Sequence, residues 1–135
     1  MLFRSLPARA GSCYARLEYR RQMEIAVVGA TAVVVLDGGT IVDAKVAITA
    51  LAPTIRRVAK AEAALVGSYG GCAAAEAAAA ASEPISDVRA SIDYRRAMAA
   101  VITRRAIEAA VARANGKAVP VPASPALHGA VRGMP

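Results

Sequence analysis

From Thr40 to Leu51 the apolar side chains Val42, Ala44, Val46, Ile48 and Ala50 alternate with Asp43, Lys45 and Thr49, the two-residue period of a strand buried on one face. Pro53 should end it. Just upstream, Ile25 to Leu36 is rich in β-branched residues and apolar at both alternating sets, which predicts a central strand covered on both sides. Asp37-Gly38-Gly39 joins the two runs. Glycine takes positive φ without a steric cost, so this tripeptide predicts a tight hairpin. A weaker alternation from Cys13 to Tyr19 sets Tyr14, Arg16 and Glu18 against Ala15, Leu17 and Tyr19 and suits a short first strand, followed by a charged turn at Arg20-Arg21-Gln22.

Beyond Pro53 the period changes. Val58, Ala61 and Leu65 recur at helical spacing within Arg56 to Val66, with Gly67 as a stop. Cys72 to Ser82 is nearly all alanine around Glu76, a strong helix former that must end before Pro84. Ser91 is placed to cap a last helix running to about Ala114, ahead of Asn115-Gly116. On it Tyr94, Met98, Val101 and Ile102 form the expected apolar stripe, with Arg95, Arg96, Arg104 and Glu108 at other angles.

The first eleven residues, with Pro7 and Gly11, read as a linker, and residues 116–135, with Pro120, Pro122, Pro125 and Pro135, as an irregular tail. Residues 12–115 then form one α+β domain: a three-stranded antiparallel sheet followed by three helices packed on one side.

Composition adjusts this picture. Of the 135 residues 56% are apolar, enough for one core, but alanine dominates and buries little area per residue. A domain with so thin a core gains from docking on a partner. The formal charge of +7 and pI near 10.1 would suit nucleic acid or an acidic membrane surface, but both fall to the pattern of the residues. Nucleic acid is disfavoured, because the arginines are scattered through helices, with neither interleaved aromatics nor a helix-turn-helix or zinc pattern. The longest apolar run, Ile25 to Leu36, is short of the roughly 20 residues a membrane span needs. Met1 to Arg9 lacks the apolar core of a secretory signal, and Cys13 and Cys72 lack disulfide or metal-ligand spacing. The expectation is a cytoplasmic protein with no metal.

Chemistry is sparse. The only histidine, His128, falls in the Pro/Gly-containing tail, a poor platform for a nucleophile–base pair, so no catalytic residue is assigned. Gly67-Ser68-Tyr69-Gly70-Gly71 follows a helix rather than a strand and lacks phosphate-loop spacing, which makes it a connector. Asp87 and Arg89 ahead of the last helix can pair locally or hold the loop through backbone N–H groups, or else dock a partner subunit. Arg104 and Arg105 face the same choice, with Glu108 an i,i+4 partner for Arg104.

The order Pro84-Ile85-Ser86-Asp87-Val88-Arg89-Ala90-Ser91-Ile92-Asp93-Tyr94-Arg95-Arg96 resembles a signature near the C-terminus of the FAD-carrying medium subunit of molybdenum hydroxylases, the family that includes aerobic carbon monoxide dehydrogenase and xanthine dehydrogenase. Tyr14 to Ala26 is similar to that family's aromatic-x-Lys…Met-Asp-Ile-Ala segment, in which the lysine approaches the flavin ring. Here Arg16 stands at the lysine position. The resemblance implies Tyr14 and Arg16 as flavin contacts, a cation there being able to stabilise negative charge on the flavin's pyrimidine edge. It implies Asp87, Arg89, Tyr94, Arg95, Arg104 and Arg105 as structural or subunit-docking residues.

The family's two glycine-rich loops for FAD pyrophosphate are absent from these 135 residues. FAD would therefore be held mainly by a domain not present here, and no cofactor is expected on the isolated chain. The resemblance implies a component of a molybdopterin, iron–sulfur and FAD oxidoreductase, not catalytic alone. Its partners would be the FAD-binding domain or subunit, a molybdopterin large subunit and an iron–sulfur small subunit. The alternative is a small non-enzymatic interaction protein that keeps this fold.

Overall fold

A computed structural model describes residues 5–19, 24–68 and 70–120. Strands β1 (Ala10–Leu17), β2 (Val28–Asp37), β3 (Thr40–Thr49) and β4 (Arg56–Arg57) form one antiparallel sheet in the order β1-β2-β3-β4. Helices α1 (Ala59–Leu65), α2 (Cys72–Ala80) and α3 (Ile92–Ala114) follow. The α+β class and the three helices agree with the sequence reading. The charged turn at residues 20–22, Tyr69, and the tail from residue 121 with His128 lie outside the described residues.

The hairpin forms as the glycines dictate: Gly38 and Gly39 have φ of 56° and 88° and join β2 directly to β3. One phase departs from simple alternation. Val35 faces Asp43 while Leu36 faces Ile41, so Val42 is an extra residue in a bulge. Ile41 therefore points inward at 2% exposure and Val42 outward at 49%, the reverse of simple alternation. The strand ends at Thr49, where Ala50 turns into the left-handed region at φ 59°.

The fourth strand was read as helix. Val58 is extended (φ −115°, ψ 84°), and its N–H donates to the Val46 carbonyl (2.9 Å), so the helix starts only at Ala59. Glu62 locks the junction: its Oε1 accepts from Val46 N–H (3.0 Å) and from Arg57 Nε (2.9 Å), while Oε2 accepts from Arg57 Nη2 (2.7 Å). Gly67 ends the helical turn at φ 77° and donates to the Ile41 carbonyl (2.8 Å).

All three helices lie on one sheet face. Helix α3 packs on β1 and β2, α1 on β3, and α2 on both helices. The core has Cys13, Ala15 and Leu17 of β1, Ala30, Ala32 and Val34 of β2, and Ala44, Val46 and Ile48 of β3 under Ala99, Ile102, Ala106 and Ala110 of α3. Small residues on both sides bring the helix close to the sheet. The opposite face carries Thr31, Val33 and Val35 only half-buried and Tyr14, Asp43 and Lys45 exposed. The expectation that β2 is covered on both sides is thus corrected: its second apolar set lies on the open face, since every helix went to the other one.

The stripe on α3 also differs. Tyr94 is 43% exposed, whereas Arg95 is 3% exposed and shares the inward face with Ala99 and Ile102. The first strand begins at Ala10, not in the region of Ser12 and Cys13, and Gly11 is buried under α3 rather than part of a linker.

Candidate functional site: the loop and strand ends beneath helix α3

Ser91 is extended (φ −73°, ψ 161°) and its hydroxyl accepts from Tyr94 N–H (3.2 Å), while the Ser86 hydroxyl accepts from Ile92 N–H (3.0 Å). Two free donors of the first turn of α3 are thereby satisfied. Asp87 organises the loop between them. Its Oδ1 accepts from Arg89 N–H (2.9 Å), Ala90 N–H (3.2 Å) and Arg95 Nη2 (2.7 Å), and its Oδ2 from Arg89 Nη1 (3.2 Å). Asp87 N–H closes the turn on the Ala90 carbonyl (3.1 Å).

Arg95 carries this order to the sheet. Its Nη1 donates to the carbonyl of Val27, at the start of β2 (2.7 Å). One buried guanidinium thus joins loop, helix and strand, which the planar fork of arginine allows and a lysine would not. The end of β1 closes on the same loop: Tyr19 Oη donates to the Arg89 carbonyl, and Arg89 Nε lies 4.0 Å from Glu24 Oε1.

The Arg89 N–H and the Arg95 guanidinium hold the Asp87 carboxyl below its usual range. A carboxylate with a lowered native value stabilises the fold fully above its unfolded value of about 3.9, and that contribution is lost as pH falls through the native value. Glu62 and Glu83, lowered by Arg57 and Arg56 respectively, act in the same direction. The urea midpoint should therefore fall steeply below about pH 4. Asp87→Asn should be less stable at pH 7 and lose less on acidification; an identical pH slope in the two proteins would contradict this.

Tyr14 and Arg16 lie on the open sheet face, near the same end. Tyr14 is 47% exposed and its ring covers Gly29, where an added Cβ would lie 2.8 Å from Tyr14 Oη and 2.2 Å from Thr49 Oγ1. Arg16 Nη2 is 2.5 Å from Glu18 Oε2, with side-chain exposures of 36% and 9%. Glu18 thus offsets the cation; the alternation put the two on one side of the strand, but not the burial of Glu18, which is 7% exposed.

The structure brings Asp87, Arg89 and Arg95 together, with Tyr94 on the adjoining turn. Arg104 and Arg105 do not join them: Arg104 lies nine residues beyond Arg95, about 13 Å along the helix. Its Nε is 3.7 Å from Glu108 Oε1, the i,i+4 pair read from the spacing. Sequence reasoning missed the cleft of about 390 Å³ beside Asp87, which is lined by Ile25, Ala52, Pro53, Pro84, Ile85 and Arg89. Among the described residues no group of three or more His, Cys, Asp or Glu could hold a metal, and no helix is long and apolar enough to cross a membrane.

Comparison with known proteins agrees with this architecture. The family model of the CO dehydrogenase flavoprotein C-terminal domain matches residues 13–110. The carbon monoxide dehydrogenase medium chain of Hydrogenophaga pseudoflava is 36% identical over 107 residues, 76% of this chain and 37% of that one. A solved carbon monoxide dehydrogenase from the same organism, lacking the Mo-pyranopterin moiety, superposes with a TM-score of 0.76 at 39% identity, covering 81% of this chain and 39% of that one. The reconstituted CO dehydrogenase of Oligotropha carboxidovorans gives 0.75 at 35%, and quinoline 2-oxidoreductase of Pseudomonas putida 86 gives 0.73 at 32%, each covering 80% of this chain and 39% of the other. The 135 residues therefore span well under half the length of these relatives. With the matched segment running from β1 almost to the end of α3, the chain belongs to the CO dehydrogenase flavoprotein C-terminal domain family.

Proposed function

We propose that this chain is the flavin-covering and subunit-docking domain of a cytoplasmic molybdenum hydroxylase-type oxidoreductase, with no catalytic centre of its own. The observation that carries the reading is the placement of Tyr14 and Arg16 on the open sheet face, at the end where the Asp87 loop is fixed. An exposed aromatic ring packed against Gly29 and a partly exposed guanidinium fit contact with one edge of a flavin ring. They do not fit the task of holding FAD, since the sequence carries neither of the glycine-rich loops whose backbone N–H groups would take its pyrophosphate. The flavin itself would supply the transfer of electrons from the reductive centres to an acceptor. The chain's own part is to exclude water from the ring and to orient its neighbours. The companions in this reading are an FAD-binding domain or subunit, a molybdopterin large subunit and an iron–sulfur small subunit.

A second reading keeps the fold without the redox assembly. The Arg16–Glu18 pair favours it, because a cation already neutralised at 2.5 Å offers less to a developing anion.

One titration separates them. FAD alone should not bind this chain, whereas adding the chain to FAD-loaded Hydrogenophaga pseudoflava medium chain shortened by its matching segment should shift the flavin absorption spectrum. Tyr14→Ala should abolish the shift, and Arg16→Ala should reduce it severalfold. Tight FAD binding by the chain alone would overturn the division of labour; no spectral change with the shortened chain would favour the second reading.

A further inference from the structure

The Asp87 loop is tied down from three sides and yet presents an apolar tip. Between Asp87 and Ala90 the backbone is fixed by the Asp87 carboxylate, itself held by Arg95, and by the Tyr19 hydroxyl, whereas Val88 at the tip has 103% relative exposure. Two isoleucines lining the adjacent cleft, Ile25 and Ile85, are 64% and 71% exposed, and Ile55, two residues beyond Pro53, is 73% exposed. Exposed β-branched residues grouped at one end of a small domain mark a contact surface. Immobilising the loop beforehand lowers the entropy cost of making that contact.

The charges nearby do not select an ionic ligand. Arg56 is paired with Glu83 (3.0 Å), Arg95 with Asp87 (2.7 Å), and Arg89 with both Asp87 (3.2 Å) and Glu24 (4.0 Å), three cations against three carboxylates, which leaves the rim balanced and the cleft apolar. One polar group stands open. Arg95 lines the cleft at 3% exposure, and its Nε–H has no acceptor among the described residues. A buried donor without an acceptor is costly, and a carbonyl oxygen entering with an apolar side chain would satisfy it.

We infer that this cleft and the Val88 tip seat an extended segment of the flavin-carrying polypeptide, which places an apolar side chain between Ile25 and Ile85 and a backbone carbonyl toward Arg95. The inference rests on the proposed function. Two observations select this occupant. The relatives carry more than half their length outside the matched part. Arg89, which lines the cleft, also accepts at its carbonyl from Tyr19, two residues past the end of the strand that bears Tyr14 and Arg16, so a polypeptide presenting flavin to those two residues has the cleft within reach.

The test is hydrogen exchange on the full chain, mixed with the same FAD-loaded, shortened Hydrogenophaga pseudoflava medium chain. Residues 24–27 and 83–90 should exchange at least tenfold more slowly in the mixture. Val88→Asp and Ile85→Asp should weaken binding tenfold or more with the urea midpoint unchanged, because both side chains already face solvent. Wild-type binding by both variants, or protection confined to the open sheet face, would overturn the cleft as the seat while leaving the proposed function intact. Failure to bind with no spectral change would remove both. A self-associated chain that Val88→Asp converts to monomer would overturn the inference in favour of a second copy as occupant.

Discussion

Arg95→Ala is expected to destabilise the fold by about 3 kcal/mol, the loss typical when a buried, hydrogen-bonded cation is removed from its partners. The variant strands two groups and leaves a void. The Val27 carbonyl loses its 2.7 Å donor, Asp87 Oδ1 loses the guanidinium at 2.7 Å, and a cavity opens beside Ala99 and Ile102. With a urea slope of about 1–3 kcal/mol/M for a domain of this size, the midpoint should fall by about 1–3 M. Arg95→Lys should recover only part of this, since one ammonium on a flexible stem replaces a fork that reaches two elements. A double-mutant cycle with Asp87→Asn separates the contributions: the two substitutions should lose less together than the sum of their single effects. Additive losses would mean that Arg95 acts through Val27 alone, and an unchanged midpoint would mean that the buried guanidinium has no part in joining loop to sheet.

What could be read from the chain was what local stereochemistry decides. The Gly38-Gly39 hairpin, the Ser91 cap, the end of α3 at Asn115-Gly116 and the Asp87 loop each follow from a residue and its near neighbours. Failures came where tertiary contacts outvoted local pattern. The bulge at Val42 inverted the phase of Ile41, and Arg56–Arg57, which read as a helix start, became a strand because β3 offered the Val46 carbonyl to Val58. Arg95 read as a surface cation because nothing in its neighbourhood announces that the carbonyl of Val27, 68 positions away, accepts its hydrogen bond. The candidate site shows the same division: the order Ser86, Asp87, Arg89, Ser91 was legible as a unit, but not the burial of Glu18 beside Arg16, nor the cleft walled by Ile25 and Ile85 from distant parts of the chain.

Gly11 extends that lesson to a glycine whose value lies in its missing side chain, and Gly11→Ala is the other substitution expected to be severe. In β1 opposite Val34, it lies under the last turns of α3, where an added Cβ would be 2.0 Å from the Ala110 carbonyl oxygen and 2.5 Å from the Ala114 nitrogen. Both are backbone atoms, so no rotamer change relieves the overlap. Helix α3 must move away from the sheet, and its contacts through Ala106 and Ala110 loosen with it. Arg113, which holds the Ser12 carbonyl at 2.7 Å from the same turn, would be displaced as well. Overpacking of this kind costs about 3 kcal/mol with alanine, and valine should leave little folded protein at 37 °C. Gly70→Ala supplies the control, because nothing among the described residues lies within 4 Å of its Cβ. That variant should stay within about 1 kcal/mol of the parent, on the stabilising side if the unfolded chain loses entropy. Equal urea midpoints for the Gly11 and Gly70 variants would show that the close approach of α3 to β1 does not govern stability. A large loss confined to Gly11→Ala would place that approach, made at the end of α3 opposite Arg95, beside the Arg95 clasp as the second contact that seats the helix.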